Sequence, residues 1–412
     1  MGDWEPKCTS GGVFREAGRG RYTSCTPCSD ASYESLAVAT PESDPLRVTY
    51  LVQGTAADIG ARAEVLLVEQ TVELPRGVAA RDPWVAAHMV GCVEEIRPAG
   101  DGAYRVTIAQ PLATTAADPG QLLNVLFGNS SLQPDVVLAD VELPDAAFDW
   151  LPGPPAGIAG LRALAGVEGR PLLATALKPM GLRPAQLAEL CGTFARAGLD
   201  LIKDDHGLAD HAFCPFEARV EACLAAVDAA ARDTGRRALY VPNVIGTPEQ
   251  VYRQLAFARR AGVGAAMVSP MIIGLPLLHE LASSPDGLPL LAHPAFGGVL
   301  PTLPPVLFGK LFRWFGADAS IYPHAGGRFS YDATTCYAIA EALRAPHPRV
   351  RPACPAPAGG IRVERVRELM EFYGPDCLLL IGGSLYEAGD ALFTRTRELV
   401  DHVARAALER VP

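Results

Sequence analysis

Gly198-Leu199-Asp200-Leu201-Ile202-Lys203-Asp204-Asp205-His206 is a short apolar run that ends abruptly in charge. Leu199 to Lys203 has the length and make-up of a buried strand. A buried strand that closes on a lysine, two acids and a histidine is delivering polar groups to an edge. The same pattern recurs on both sides of it. Apolar runs at Leu172–Leu177, Leu199–Lys203, Ala238–Pro242, Ala265–Val268, Leu288–Ala292, Ala319–Tyr322, Arg351–Cys354 and Leu378–Ile381 alternate with Ala/Leu/Arg-rich helical stretches. Pro184–Ala197 and Pro248–Ala261 each set a proline at a helix start, where its missing N–H costs nothing. Strand and helix alternating in this way predict a closed (β/α)₈ barrel. An open doubly wound sheet is the rival. No Gly-x-Gly-x-x-Gly follows any of the strands, which weakens it.

Upstream the order differs. Leu46–Val52 alternates as a strand, and Ala57–Gln70 reads as a helix. Strands at His88–Val93 and Tyr104–Ala109, a helix at Gln121–Phe127 and a strand at Asp135–Val141 follow. That order predicts a ferredoxin-like α+β domain. Asp149–Gly157 is rich in Pro and Gly and marks a boundary. The expected α/β fold therefore has three parts: a flexible extension over 1–45, an α+β domain over 46–148 and a TIM barrel over 158–412.

The chain has 412 residues, with 36 basic against 46 acidic groups and a formal charge of −10. This argues against an extended nucleic-acid face, yet a few local cations can still hold an anionic small molecule. No long uncharged window spans a membrane and no apolar signal core opens the chain, so the cytoplasm is the expected location. Ten cysteines are scattered. Cys223, Cys336 and Cys377 lie in apolar periodic stretches and read as buried thiols. Cys25 and Cys28, with Cys8 upstream, form the one CxxC pair, and no second pair or histidine completes a zinc site.

In a barrel the chemistry gathers at the C-terminal ends of the strands. Lys178 ends the first run. Such a lysine could form a Schiff base, bind phosphate or carry a proton. Lys203 and Asp205 share one face of their strand. Two acids and a histidine beside a buried lysine suit Mg²⁺. An ammonium cannot bind a cation, so Lys203 would have to lose its proton or gain a carboxylate. A Lys203–Asp205 ion pair without metal reads equally well. Gly359-Gly360 and Gly382-Gly383 follow the last two strands, where backbone N–H groups above a short helix usually grip phosphate. Ala325-Gly326-Gly327-Arg328 reads as a mobile loop carrying a cation. His293 ends the fifth run and has the intrinsic pKa for proton transfer. Glu69 and Asn129, taken alone, read as a surface acid and part of a helix cap.

The set Gly198–Asp205, Lys178-Pro179 with Gly181-Leu182, Phe127-Gly128-Asn129, Gly359-Gly360 and Gly382-Gly383 resembles the RuBisCO large-subunit superfamily, in order, from Leu46 to the C-terminal helices. The resemblance implies an N-terminal ferredoxin-like domain, a barrel, and a dimer or an oligomer of dimers with shared active sites. It gives Glu69 and Asn129 a part in a neighbour's site. It implies that Lys203 becomes N6-carboxylysine and binds Mg²⁺ with Asp205. His206 stands where the family has a second ligating carboxylate. Lys178 resembles an acid/base lysine, His293 an active-site histidine, and Arg328 lies near the position of a mobile catalytic lysine.

The departures are instructive. Met180 replaces the second lysine of Lys-Pro-Lys, Pro294 a phosphate-binding arginine, and Ala358 a serine. CO₂ fixation is therefore not expected. The resemblance implies a form IV, non-photosynthetic RuBisCO-like protein that enolises a phosphorylated sugar, of the 5-methylthioribulose-1-phosphate isomerase type. A decarboxylase of a 3-oxo sugar-acid phosphate (3-oxo-isoapionate-4-phosphate type), a 2,3-diketo-5-methylthiopentyl-1-phosphate enolase and a non-catalytic relative are the alternatives.

Overall fold

The computed structural model describes residues 44–329 and 331–409. The expected extension, with Cys8, Cys25 and Cys28, lies almost wholly outside the described residues. The first sheet is antiparallel with order β2-β3-β1-β4, from β1 (Leu46–Gln53), β2 (Cys92–Gly100), β3 (Ala103–Gln110) and β4 (Val136–Glu142). β1 buries every second residue, Leu46, Val48, Tyr50 and Val52, as a half-buried strand must. The helices Ile59–Thr71 and Pro119–Phe127 belong to this unit.

One expected strand is displaced. His88 does not begin a strand but ends the helix Pro83–His88. Asp82 caps that helix, accepting from the N–H groups of Trp84 and Val85, and Pro83 takes the first turn. The strand starts at Cys92 and runs through Pro98. Pro98 is tolerated because β2 is an edge strand.

The barrel strands are β5 (Leu172–Leu177), β6 (Leu201–Asp204), β7 (Leu239–Val241), β8 (Ala266–Val268), β9 (Leu290–Ala292), β10 (Ala319–Pro323), β11 (Cys354–Ala358) and β12 (Leu378–Leu380). They pair in parallel as two runs, β12-β5-β6-β7 and β11-β10-β9-β8. An isolated bridge, Asn243 with Met267, joins β7 to β8. β11 packs beside β12 without a regular ladder.

That gap has a cause in the sequence. Cys354 N–H bonds to Asp318 O on the β10 side. By alternation the nitrogens of Pro355 and Pro357 face β12, and neither has a hydrogen to give. The same prolines explain why the seventh strand is misjudged from sequence. The expected Arg351–Cys354 shares only Cys354 with the observed Cys354–Ala358. Among the described residues no helix is long and apolar enough to cross a membrane.

Candidate active site

β5 and β6 are neighbours in register, with Ala176 opposite Lys203 and Leu177 opposite Asp204. The residues that follow each strand therefore meet at one rim. Lys178 Nζ lies 2.7 Å from Asp205 Oδ1. His206 Nδ1 lies 3.2 Å from the same oxygen. The ring of His206 stacks on His293, which follows β9, with centroids 4.3 Å apart and planes at 10°. Lys203, buried on β6, donates from Nζ to the carbonyl of Asp204 at 2.9 Å. Five of the expected site residues thus form one cluster.

The electrostatics follow from crowding. Burial lowers the Lys203 pKa to about 8, and the nearby Lys178 charge lowers it further, against the pull of Asp205 and Asp204. Burial alone would raise the Asp205 pKa. Hydrogen bonds from His206 and Lys178, with the charges of both lysines, overcome that and hold it well below the usual carboxylate range. Burial pushes the His293 imidazole down, aided by the charges of Lys203 and His206. His293 is therefore neutral at pH 7. The N–H of Ala295 donates to its Nδ1 at 3.1 Å, which leaves the proton on Nε2.

Behind this rim is a set of residues that sequence reasoning missed. Asp204 is fully buried. It accepts from Arg219 Nε at 2.9 Å, Tyr240 OH at 2.8 Å and Asn243 N–H at 3.0 Å. Arg219 lies on the helix Phe216–Thr234 and is itself fully buried. In the sequence it looks like any arginine on a helix surface. After β10, His324 is buried, with Nδ1 2.9 Å from Tyr373 OH and no partner for Nε2 among the described residues.

The two glycine pairs differ. Gly359 and Gly360 have φ of +87° and +104°. The N–H of Arg328 donates to Gly359 O at 2.8 Å. A Cβ on Gly360 would stand 3.1 Å from Arg328 N and 3.2 Å from Gly327 Cα. This pair is needed where the β10 loop packs on the β11 loop. At Gly382 and Gly383 a Cβ would meet nothing within 4 Å, so the protein itself does not demand glycine there. The Arg328 guanidinium lies over the Phe329 ring, 5.7 Å from its centroid.

Glu69 and Asn129 are brought together elsewhere. Asn129 Nδ2 donates to Glu69 Oε1 at 2.8 Å. Beside them Ser130 Oγ donates to Gln70 Oε1 at 2.6 Å. Neither Glu69 nor Asn129 bonds to the barrel cluster within this chain.

Lys203, Asp205 and His206 do not form a metal cage as they stand. Among the described residues no group of three or more His, Cys, Asp or Glu could hold a metal ion. Mg²⁺ asks for oxygen ligands, and the rim offers one carboxylate, already met by Lys178. Adding CO₂ to Lys203 would replace a cation with a second carboxylate beside Asp205. The lowered Lys203 pKa favours the neutral amine that such an addition requires. With that carboxylate in place the donor chemistry fits Mg²⁺.

A family model, the ribulose bisphosphate carboxylase large chain catalytic domain, matches residues 157–304. The chain is 48% identical to ribulose bisphosphate carboxylase-like protein 1 of Rhodopseudomonas palustris, covering 89% of this chain and 98% of that one. It is 46% identical to a 5-methylthioribulose-1-phosphate isomerase of Rhodospirillum rubrum, covering 88% and 97%. A 2,3-diketo-5-methylthiopentyl-1-phosphate enolase of Bacillus licheniformis is 30% identical, covering 83% and 87%. The crystal structure of a Rubisco-like protein from Rhodopseudomonas palustris superposes with a TM-score of 0.81 at 44% identity, covering 88% and 98%. The chain belongs to the RuBisCO large-chain superfamily, among its RuBisCO-like members.

Proposed function

We propose that this chain enolises a phosphorylated ketose and returns the proton to a neighbouring carbon, as a 5-methylthioribulose-1-phosphate isomerase rather than a carboxylase. The observation that carries the reading is the contact of Lys178 Nζ with Asp205 Oδ1, 2.7 Å apart and beside the buried Lys203. A proton carrier and its partner carboxylate then stand at the rim where a sugar carbonyl would lie. The similarity to an isomerase over nearly its whole length supports the same reading. Met180 and Pro294, in place of two cationic residues of the carboxylases, argue against a bisphosphate substrate.

In this account Lys178, as free amine, takes a proton from the carbon next to the carbonyl. Asp205 holds the resulting ammonium in place. Lys178 then gives the proton back one carbon along. His293, neutral and protonated on Nε2, donates a hydrogen bond to the enediolate oxygen and does not abstract a proton. Lys203 reacts as neutral amine with CO₂, forming an N–C bond and releasing one proton, to become N6-carboxylysine. Mg²⁺ held by that group and Asp205, with His206 adjacent, would supply positive charge to the enediolate oxygens.

Backbone N–H groups at Gly382-Gly383, with Gly359-Gly360 alongside, take the phosphate, and Arg328 adds a cation from its loop. Glu69 and Asn129 reach the barrel of a second copy, which makes the working unit a dimer or an oligomer of dimers. The domain limits follow the sequence reading, 46–148 and 158–412.

The test is a substrate panel followed by phosphorus NMR with Mg²⁺ and bicarbonate present. The reading expects a new isomeric phosphate from 5-methylthioribulose 1-phosphate. Turnover of only the 2,3-diketo-5-methylthiopentyl phosphate, or CO₂ release from a 3-oxo sugar-acid phosphate alone, would replace it with the enolase or the decarboxylase. No turnover of any of them would leave a non-catalytic relative.

A further inference from the structure

Phe296 combines two unfavourable features in one residue. Its φ is +67°, a left-handed conformation that is a genuine outlier for a bulky side chain. Its ring is also 63% exposed, so burial does not repay the strain. The local geometry explains how it is held. Gly297 N–H bonds back to Pro294 O at 2.9 Å, closing a four-residue turn. The third place of such a turn, with positive φ, ordinarily goes to glycine. Here glycine stands one residue later, where a Cβ would come within 2.7 Å of the Phe308 ring.

The turn is not a loose tip. Ala295 N–H is tied to His293 Nδ1. At the far end Leu138 N–H bonds to Pro301 O and Leu303 N–H to Leu138 O, both at 2.9 Å. The exposed ring is therefore presented from a segment fixed at both ends.

Its position relative to the cluster gives the strain a use. The candidate phosphate glycines follow β11 and β12, and β12 adjoins β5. The reacting groups follow β5, β6 and β9. A chain-like substrate that starts at β11–β12 and lies across those groups points its far end at the β9 loop. That loop, residues 294–304, contains no charged residue. It offers a second phosphate nothing and an apolar group a ring.

We propose that Phe296 is a specificity residue that receives the apolar end of a monophosphorylated substrate. This rests on the reading above for what that end is, a methylthio group. The strained turn is retained because it aims the ring at the site.

The test measures binding rather than turnover. Kd values for 5-(methylthio)pentyl phosphate and 5-hydroxypentyl phosphate are measured by calorimetry on the full chain, Phe296→Ala and Phe296→Gly. Wild type should prefer the methylthio probe about tenfold, the scale set by one apolar group of that size. Both variants should lose that preference through weaker binding of the methylthio probe. Phe296→Gly should also melt higher than wild type, because glycine suits the turn. An unchanged preference in both variants overturns the proposal, whether or not sedimentation shows a shift in oligomeric state. An absent preference in wild type overturns it as well. If the preference holds while 5-methylthioribulose 1-phosphate is not turned over, the isomerase reading fails and this inference stands.

Discussion

Asp204 and Asp205 are adjacent in the chain and opposite in their surroundings. Asp204 faces inward, fully buried, with Arg219, Tyr240 and the Asn243 N–H on its two oxygens. Asp205 faces the rim, and both of its side-chain partners, Lys178 and His206, meet a single oxygen, Oδ1. The inner carboxylate has its bonding completed by a rigid frame. The outer one is shared among groups that can carry protons. One turn of strand alternation thus separates a residue that holds β6 in place from one available to a substrate.

The comparison breaks most sharply at Lys203, the residue before both. Lys203→Met should lower turnover of 5-methylthioribulose 1-phosphate by roughly 10³-fold or more, the scale of removing a main oxyanion stabiliser. Its melting temperature should stay near wild type, because a buried methylene chain of similar size remains. Turnover within tenfold of wild type, measured with Mg²⁺ and bicarbonate, would mean that the site works through Lys178 and His293 alone. Lys178→Met should cost roughly 10²- to 10⁴-fold in kcat, again without unfolding, since this side chain is 40% exposed.

Arg219→Met tests the inner half. It leaves Asp204 charged and unpaired in a dry environment, which should destabilise by about 3–5 kcal/mol, read from the urea midpoint. A loss under about 1 kcal/mol would show that the network is not the frame described.

His324 sharpens the picture on the opposite side of the barrel. Burial lowers its pKa to about 4, helped by the Arg365 charge, against about 6.5 when unfolded. Above pH 6.5 both states are neutral and the shift has no effect on stability. Between pH 6.5 and 4 the unfolded chain binds the proton and the native one does not. Stability should fall there as pH falls, by about 1–3 kcal/mol. His324→Gln should remove that part of the slope in urea titrations at successive pH values. An identical slope in the variant would contradict it.

The glycine pairs give the smallest effects. Gly360→Ala should destabilise by about 1–2 kcal/mol, from its positive φ and its close neighbours. Gly383→Ala should change stability by less than about 0.5 kcal/mol and instead raise KM for the phosphorylated substrate. The reverse pattern would mean that the phosphate lies elsewhere.

Much of this division was open to sequence reading, for a physical reason. A buried strand that ends in charge is visible in one dimension, so Lys178, Lys203, Asp205 and His293 could be picked out before any contact was known. Their convergence needed only the rule that barrel strands end on one face. Arg219 could not be found this way, because an arginine among alanines on a helix looks solvated until the helix is docked. His88 was misread because its apolar neighbours outweighed the Asp82-Pro83 helix start. The seventh strand slipped because Pro355 and Pro357 disguise a strand whose neighbour tolerates their missing hydrogens. Glu69 and Asn129 carried meaning only through the family likeness, and the structure brings them to each other rather than to this chain's own rim.

The central claim is that the Lys178–Asp205–Lys203 rim moves a proton on a sugar phosphate. Its most direct test is proton NMR of 5-methylthioribulose 1-phosphate incubated with the enzyme in D₂O, Mg²⁺ and bicarbonate. The account predicts loss of the signal at the carbon next to the carbonyl, together with an isomeric product, and neither with Lys178→Met. A carbon-bound proton that stays in place with folded wild-type enzyme, or washes out equally with Lys178→Met, would contradict it.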